Sequence, residues 1–138
     1  MAGTLVDAGP LYAYIDADDR HHAACVELLS EDAGPLIVPA LVLSEVAYLL
    51  ESRLGAYAEV RFTEDLAAGT FIVDAPQPGD WVRVAELVAR YRDLALGLVD
   101  ASVVVAAERL GITRVATLDH RRFGVVRPSH VALFDVVP

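Results

Sequence analysis

The sequence predicts an α/β fold of three layers, with helices on both faces of a mostly parallel sheet. Short apolar runs alternate with longer stretches of helical periodicity, and Gly and Pro stand at the boundaries. Strand-helix alternation of this kind is typical of parallel sheets whose crossovers are helices. The chain has 138 residues, of which 55 % are apolar and 22 % charged. We therefore expect a single domain, residues 1–138, with a proper hydrophobic core.

Each element is predicted from its local pattern. The strands are short apolar or β-branched runs, of which the second lies between Pro35 and Pro39, and they are predicted at 4–6, 36–38, 70–73, 115–118 and 131–136. The helices carry apolar residues three and four positions apart, and they are predicted at 11–17, 20–31, 40–54, 57–67, 79–94 and 100–110. Gly111 ends the last helix. Trp81 and the tyrosines are scattered along these elements, and we expect them to pack in the core.

Composition excludes several classes of protein. All 11 basic residues are Arg, so mechanisms that need a lysine ammonium are ruled out. The formal charge of −9 disfavours non-specific attraction to nucleic acid or anionic membranes. Cys25 is the single cysteine, which excludes an internal disulfide. No apolar run is long enough to span a membrane and no signal peptide is visible, so we expect a cytoplasmic protein.

Four aspartates follow predicted strands: Asp7, Asp74, Asp119 and Asp135. Ligands of an open parallel sheet bind outside the carboxyl ends of its strands. An aspartate after a strand is also an ordinary cap of the next helix. Position alone leaves both interpretations open for each of them.

Two further carboxylates stand out because their surroundings are apolar. Glu45 has Leu41 and Leu49 one turn away on its helix, and desolvating an unpaired anion costs several kcal/mol. The alternative is a glutamate at the rim of the apolar stripe. Asp100 precedes the apolar run of the last helix, where it is either a helix cap or a ligand-facing group.

The predicted architecture can gather four acids at one end of the sheet: Asp7, Glu45, Asp100 and Asp119. Four anions in one pocket repel each other unless a multivalent cation is present. Carboxylates without a His or Cys set favour Mg²⁺ or Mn²⁺ over zinc. Such a site activates water and stabilises charge on a phosphodiester, so phosphoryl chemistry by metal-activated water is the leading hypothesis.

The stretches around these acids resemble the PIN-domain ribonucleases, particularly the VapC toxins of bacterial toxin-antitoxin pairs. The stretches are 5–11 around Asp7, 39–50 around Glu45, 98–102 around Asp100 and 116–123 around Asp119. Their order and spacing are specific, above all the Thr117-x-Asp119-x-x-x-Phe123 ending and the Ser44-Glu45 pair.

The resemblance implies a three-layer PIN-like fold in which the four acids are catalytic residues and ligands of Mg²⁺ or Mn²⁺. It further implies cleavage of structured RNA such as tRNA or rRNA, inhibition by a cognate VapB-type antitoxin, and a homodimer. The alternative is a catalytically degenerate PIN-fold protein that acts only as a binding partner. Ala8 and Gly9 depart from the family, in which many members carry Ser or Thr after the first Asp.

The hydroxyls that remain near the acids are Thr117 and Ser102, and we expect them to support the site. Arg suits phosphate contact, so the RNA-binding candidates are Arg20, His120, Arg121 and Arg122. For each of these the alternative is a solvated surface residue.

Overall fold

The computed structural model describes residues 2–31 and 34–138, and within them five strands form one sheet. The strands are β1 (Thr4–Val6), β2 (Leu36–Pro39), β3 (Ile72–Asp74), β4 (Arg114–Ala116) and β5 (Asp135–Val137). All pair in parallel, in the order β3-β2-β1-β4-β5. The sheet therefore has β1 at its centre, with β2 and β4 on either side.

Helices connect every pair of consecutive strands, since parallel strands require crossovers. The helices are α1 (Ala8–Ile15), α2 (His22–Ser30), α3 (Ala40–Arg53), α4 (Ala56–Ala68), α5 (Asp80–Arg90), α6 (Leu98–Leu110) and α7 (His120–Val125). A short 3₁₀ helix, Arg92–Leu94, lies between α5 and α6.

The strand order decides on which face each helix packs. Crossovers between parallel strands are right-handed, so the path β1-β2-β3 places α1 to α4 on one face, and the return path to β4 and β5 places α5 to α7 on the other. The packing agrees, because α1 contacts α2 and α3, α3 contacts α4, and α5 contacts α6. The mostly parallel α/β prediction is confirmed, and the two paths diverge between β1 and β4.

The core lies between the sheet and these helices. Leu5 and Val6 on β1 and Val103 and Val104 on α6 are fully buried. The whole run 101–107 of α6 is buried, which explains why it is apolar on every side rather than along one stripe. Within the described residues, no helix is long and apolar enough to cross a membrane.

Several element boundaries differ from the prediction. Helix α1 begins at Ala8, because Asp7 caps it, and α6 begins at Leu98, which puts Asp100 in the first turn rather than at the cap. The stretch predicted as one helix at 79–94 ends at Arg90 and continues as 3₁₀. Helix α7 was not predicted, because its six residues are too short to show periodicity.

The expectation that the aromatic residues pack in the core is only partly right. Tyr12 is buried, but Tyr48 and Tyr57 are 71 % and 73 % exposed, and Trp81 is 45 % exposed. The periodicity of a helix identifies its apolar face, but it does not show which part of that face another element covers.

Candidate active site

A cavity of about 530 Å³ opens at the carboxyl ends of β1 and β4. Its walls come from the loops after these two strands and from α3 and α6, and its lining residues include all four predicted acids, Asp7, Glu45, Asp100 and Asp119. This is the point where the chain paths diverge, the usual place for a ligand in an open α/β sheet. We call it the acid cavity.

Asp7 forms the floor of the acid cavity. Its Oδ1 accepts a hydrogen bond from the backbone N–H of Ala8 at 2.9 Å, and its Oδ2 accepts one from the hydroxyl of Thr117 at 2.8 Å. Burial raises the pKa of the Asp7 carboxyl above its usual value, and the nearby charges of Asp100 and Asp119 raise it further, against these two hydrogen bonds. An ionised Asp7 is therefore costly until a cation compensates it.

Thr117 connects the ends of the two central strands. It is fully buried, and while its hydroxyl donates to Asp7 it accepts the backbone N–H of Asp119 at 3.1 Å. The supporting hydroxyl that is absent after Asp7 is thus supplied by the residue directly after β4. A Cβ at Gly9 would lie 3.2 Å from the side chain of Leu118, so the small residue there permits close packing of α1 on this loop.

Glu45 and Asp100 form the side walls. Glu45 is exposed, so of the two alternatives left open by the sequence the structure favours the position at the rim of the apolar stripe. Partial desolvation nonetheless raises the pKa of its carboxyl, and Asp7 and Asp100 raise it further. Asp100 is half-buried, and its Oδ2 accepts the backbone N–H of Gly97 at 3.2 Å. Desolvation raises the pKa of Asp100, and Asp119 adds to the rise, while the Gly97 hydrogen bond and Arg122 oppose it.

Asp119 is paired with a cation. It caps α7 by accepting the backbone N–H of Arg122 at 3.0 Å, and the Arg122 guanidinium donates to its other oxygen at 2.8 Å. Arg122 also lines the acid cavity. One of the four RNA-binding candidates is therefore part of the acidic site itself.

The donor set fits a hard divalent cation. Four carboxylates face one open cavity, and the pKa values of Asp7, Glu45 and Asp100 are raised mainly by desolvation and further by the charge of neighbouring acids. Within residues 2–31 and 34–138, no three acidic, His or Cys side chains are already grouped tightly enough to hold a metal. The acids therefore line the cavity without forming a closed cluster.

A second cavity, of about 620 Å³, adjoins the first and shares Leu118 and Asp119 with it. We call it the basic groove, because Arg20, His120 and Arg121 line it. His21 lies there too and accepts the Nε–H of Arg20 on its Nε2 at 3.0 Å. The fold brings Arg20 and His21, at the start of α2, beside the residues at the start of α7.

Three other candidates lie outside the acid cavity. Ser102 donates its hydroxyl to the carbonyl of Val99 at 2.6 Å and lines a different, small pocket with Asp74. Asp74 is at the edge of the sheet and pairs with Arg109. Asp135 begins β5 instead of ending a strand, so it lies at the opposite end of the sheet. Only Asp7 and Asp119 follow the two strands at the divergence point.

A family model for the PIN domain matches residues 4–127 of this chain. The chain therefore belongs to the PIN-domain family, as its sequence resemblance indicated. It is 34 % identical over 134 residues to Ribonuclease VapC26 of Mycobacterium tuberculosis, which covers 97 % of this chain and 99 % of that protein. Within the PIN domains, its relatives are thus the VapC proteins of toxin-antitoxin pairs, and the resemblance is confirmed.

Solved structures show the same fold. The VapC20 toxin of Mycobacterium tuberculosis, described as cleaving the sarcin-ricin loop, superposes with a TM-score of 0.79 at 21 % identity over 94 % of this chain and 98 % of that one. The VapBC2 complex of Rickettsia felis, bound to a fragment of promoter DNA, gives a TM-score of 0.71 at 13 % identity over 99 % of both chains.

Proposed function

We propose that this protein is a metal-dependent endoribonuclease toxin that hydrolyses phosphodiester bonds of structured RNA, with residues 1–138 acting as one domain. The observation that carries the proposal is that Asp7, Glu45, Asp100 and Asp119 line one open cavity where the chain paths diverge. Membership of the VapC family and the identity to Ribonuclease VapC26 support the reaction class.

The four acids are the proposed catalytic residues and the proposed ligands of Mg²⁺ or Mn²⁺. A bound divalent ion would lower the pKa of water and offset the charge that develops on the phosphodiester. Asp7 is held at the floor by Ala8 and Thr117, so its carboxylate is oriented before any ligand arrives. Thr117 is the proposed supporting residue, and its contacts favour it over Ser102, whose hydroxyl is bonded to Val99.

The test compares RNA cleavage by the wild type with that by Asp7→Asn and Asp100→Asn. We expect both variants to fold and to lose cleavage by about 100-fold or more, and EDTA to abolish cleavage by the wild type. Asp135→Asn is the matched control, since this exposed aspartate lies at the other end of the sheet. Cleavage that persists in EDTA, or in both variants, would contradict the proposal.

The basic groove is the proposed path of the RNA backbone beside the acid cavity. Arg20, His120 and Arg121 line it, and Arg122 faces the acids next to it. Guanidinium groups bind phosphate through paired N–H donors, which suits a strand that passes from the groove to the acids. We infer that the substrate is a structured RNA of the tRNA or rRNA class, and sequencing of RNA ends after expression of the wild type and Asp7→Asn identifies it.

A cognate VapB-type antitoxin is the proposed partner, acting in the cytoplasm where the RNA is found. The VapBC complex among the structural neighbours supports such a pairing, and an acidic open cavity suits a segment that carries a basic side chain. Co-expression with the product of the adjacent short gene should suppress RNA cleavage. No suppression by that product would count against it.

We also propose a homodimer. Exposed apolar residues on α3, on α4 and in the turn between them support it, namely Tyr48, Leu54, Tyr57 and Val60. Light scattering of the purified protein should give twice the 14.8 kDa of one chain. A mass of one chain at micromolar concentration would contradict the dimer.

A further inference from the structure

Asp119 differs from the other acids of the cavity because both of its oxygens are engaged by one residue of its own helix. Arg122 Nη1 donates to Asp119 Oδ2 at 2.8 Å, and the backbone N–H of Arg122 donates to Oδ1 at 3.0 Å. The pair lies three residues apart across the first turn of α7. A metal that used Asp119 as a ligand would have to compete with this cation.

The guanidinium of Arg122 is also held from a second side. Its Nε donates to the carbonyl oxygen of Leu94, in the 3₁₀ helix before α6, at 3.3 Å. Because a guanidinium is planar and rigid, two anchors at different nitrogens fix its orientation. Arg122 therefore forms part of the wall of the acid cavity.

The other three acids have no such cation partner among the described residues. Asp7 is bonded to Ala8 and Thr117, and Asp100 is bonded to the N–H of Gly97. No ion pair in the described part of the chain involves Asp7, Glu45 or Asp100. Their negative charge is therefore available to an ion from solution.

The number of free ligands favours one ion over two, because Arg122 already engages both oxygens of Asp119 and three carboxylates remain. Four carboxylates carry four negative charges, and Arg122 offsets one of them. One divalent ion leaves a formal charge of −1 and two leave +1, so the second ion would add positive charge to a cavity that already holds the anchored Arg122 guanidinium.

We propose that Arg122 takes the place of a second metal ion, so that the acid cavity binds one divalent cation through Asp7, Glu45 and Asp100 while Asp119 anchors Arg122. The inference rests on the proposed function and narrows it, because Asp119, one of the four ligands proposed above, is assigned to Arg122 instead of to the metal. It distinguishes Arg122 from Arg121, its neighbour in α7, which lines the basic groove instead.

Titration of the full chain with Mn²⁺ tests this without RNA, by calorimetry and by the electron paramagnetic resonance signal of free Mn²⁺. The wild type should bind one ion per chain. Arg122→Gln should bind Mn²⁺ about tenfold more tightly or accept a second ion, because a positive charge has left the cavity wall. Arg121→Gln, which removes a charge from the same helix but not from the acid cavity, should stay within about threefold of the wild type.

The double variant Asp119→Asn/Arg122→Gln removes the pair together and leaves the net charge unchanged. It should bind one Mn²⁺ within about threefold of the wild-type Kd, whereas Asp100→Asn should lose at least about tenfold. Two ions on the wild type, or a tenfold loss in the double variant, would overturn the inference and leave the proposed nuclease standing. A wild type that binds no Mn²⁺ would overturn the proposed metal site as well.

Discussion

At Asp7 the stability of the fold and the proposed function conflict, because the function needs an ionised carboxylate where burial disfavours one. Asp7 is 9 % exposed, close to two other carboxylates, and its hydrogen bonds come from one backbone amide and one hydroxyl. A buried anion held in this way destabilises the native state, because desolvation and repulsion outweigh the two hydrogen bonds. The conflict disappears when a divalent cation binds, which ties the stability of the protein to its proposed cofactor.

Asp7→Asn should therefore stabilise the metal-free protein while removing its proposed activity. The pKa of Asp7 is raised in the folded state, so wild-type stability falls as the pH rises from the unfolded value near 3.8 through the folded value. In EDTA at pH 7.5 the variant should melt about 3 °C higher, roughly 1 kcal/mol for a domain of this size. The gain should shrink toward pH 4, where the wild-type carboxyl is protonated, and a variant that melts lower at pH 7.5 would show that Asp7 is not strained.

Thr117 is the proposed positioning residue, because its hydroxyl contacts Asp7 and the backbone N–H of Asp119. Thr117→Val keeps the shape and removes the hydroxyl, so RNA cleavage should fall about 10- to 100-fold. Thr117→Ser restores the hydroxyl and should recover most of the rate. The loss should appear in kcat rather than in KM for RNA. Equal losses in the Val and Ser variants would indicate packing rather than hydrogen bonding.

At the scale of elements, α6 is the helix that the site depends on most. It carries Asp100 in its first turn, and in its last turn Arg109 binds both Asp74 at the end of β3 and Asp80 at the start of α5. These pairs are largely shielded, with side-chain exposures of 26 % for Arg109, 17 % for Asp74 and 12 % for Asp80. Arg109 thus links the edge of the sheet and the start of α5 to α6, the helix that carries Asp100.

Arg109→Met should lower the free energy of unfolding by about 2 kcal/mol, less than a fully buried pair because part of the cluster contacts water. The substitution removes the cation that Asp74 and Asp80 share, so that two neighbouring carboxylates are left unpaired. Arg92→Met, an exposed arginine bonded to the carbonyl of Ala89, is the control and should change the stability by less than about 0.5 kcal/mol. Urea denaturation followed by circular dichroism measures both, and equal effects would mean that the cluster is only a surface feature.

The elements also show how far the sequence predicts this molecule. In the described part of the chain, local sequence patterns located six of the seven helices and all five strands, because long amphipathic or β-branched runs carry their signal locally. Periodicity could not separate the aspartates at the strand ends, because their positions in space depend on the strand order. Asp7 and Asp119 follow adjacent central strands, while Asp74 is the last residue of an edge strand. Nor could periodicity show that Arg122 turns back onto Asp119, which requires the six-residue helix α7.

For the whole molecule, the net charge of −9 and the proposed RNA substrate are reconciled by the local distribution of charge. The basic residues that face the site are few, and they lie next to the acid cavity in the basic groove. Bulk repulsion excludes the broad electrostatic binding of a basic RNA-binding protein, so affinity must come from a small number of phosphate contacts. For the proposed substrate we therefore expect selectivity for a particular RNA shape, since little binding energy is available to an arbitrary strand.

The salt dependence of RNA binding tests whether a small number of phosphate contacts supplies the affinity. With Asp7→Asn as an uncleaving background, the affinity for a fluorescent RNA stem-loop should fall with a shallow slope in log salt, about −2 for three phosphate contacts. Adding Arg20→Gln or Arg121→Gln should reduce the slope by about 0.7 each, because each removes one contact. Arg90→Gln, an exposed residue of α5 outside both cavities, should leave the slope unchanged. If all three variants changed the slope equally, the groove would have no special role and the net charge alone would govern binding.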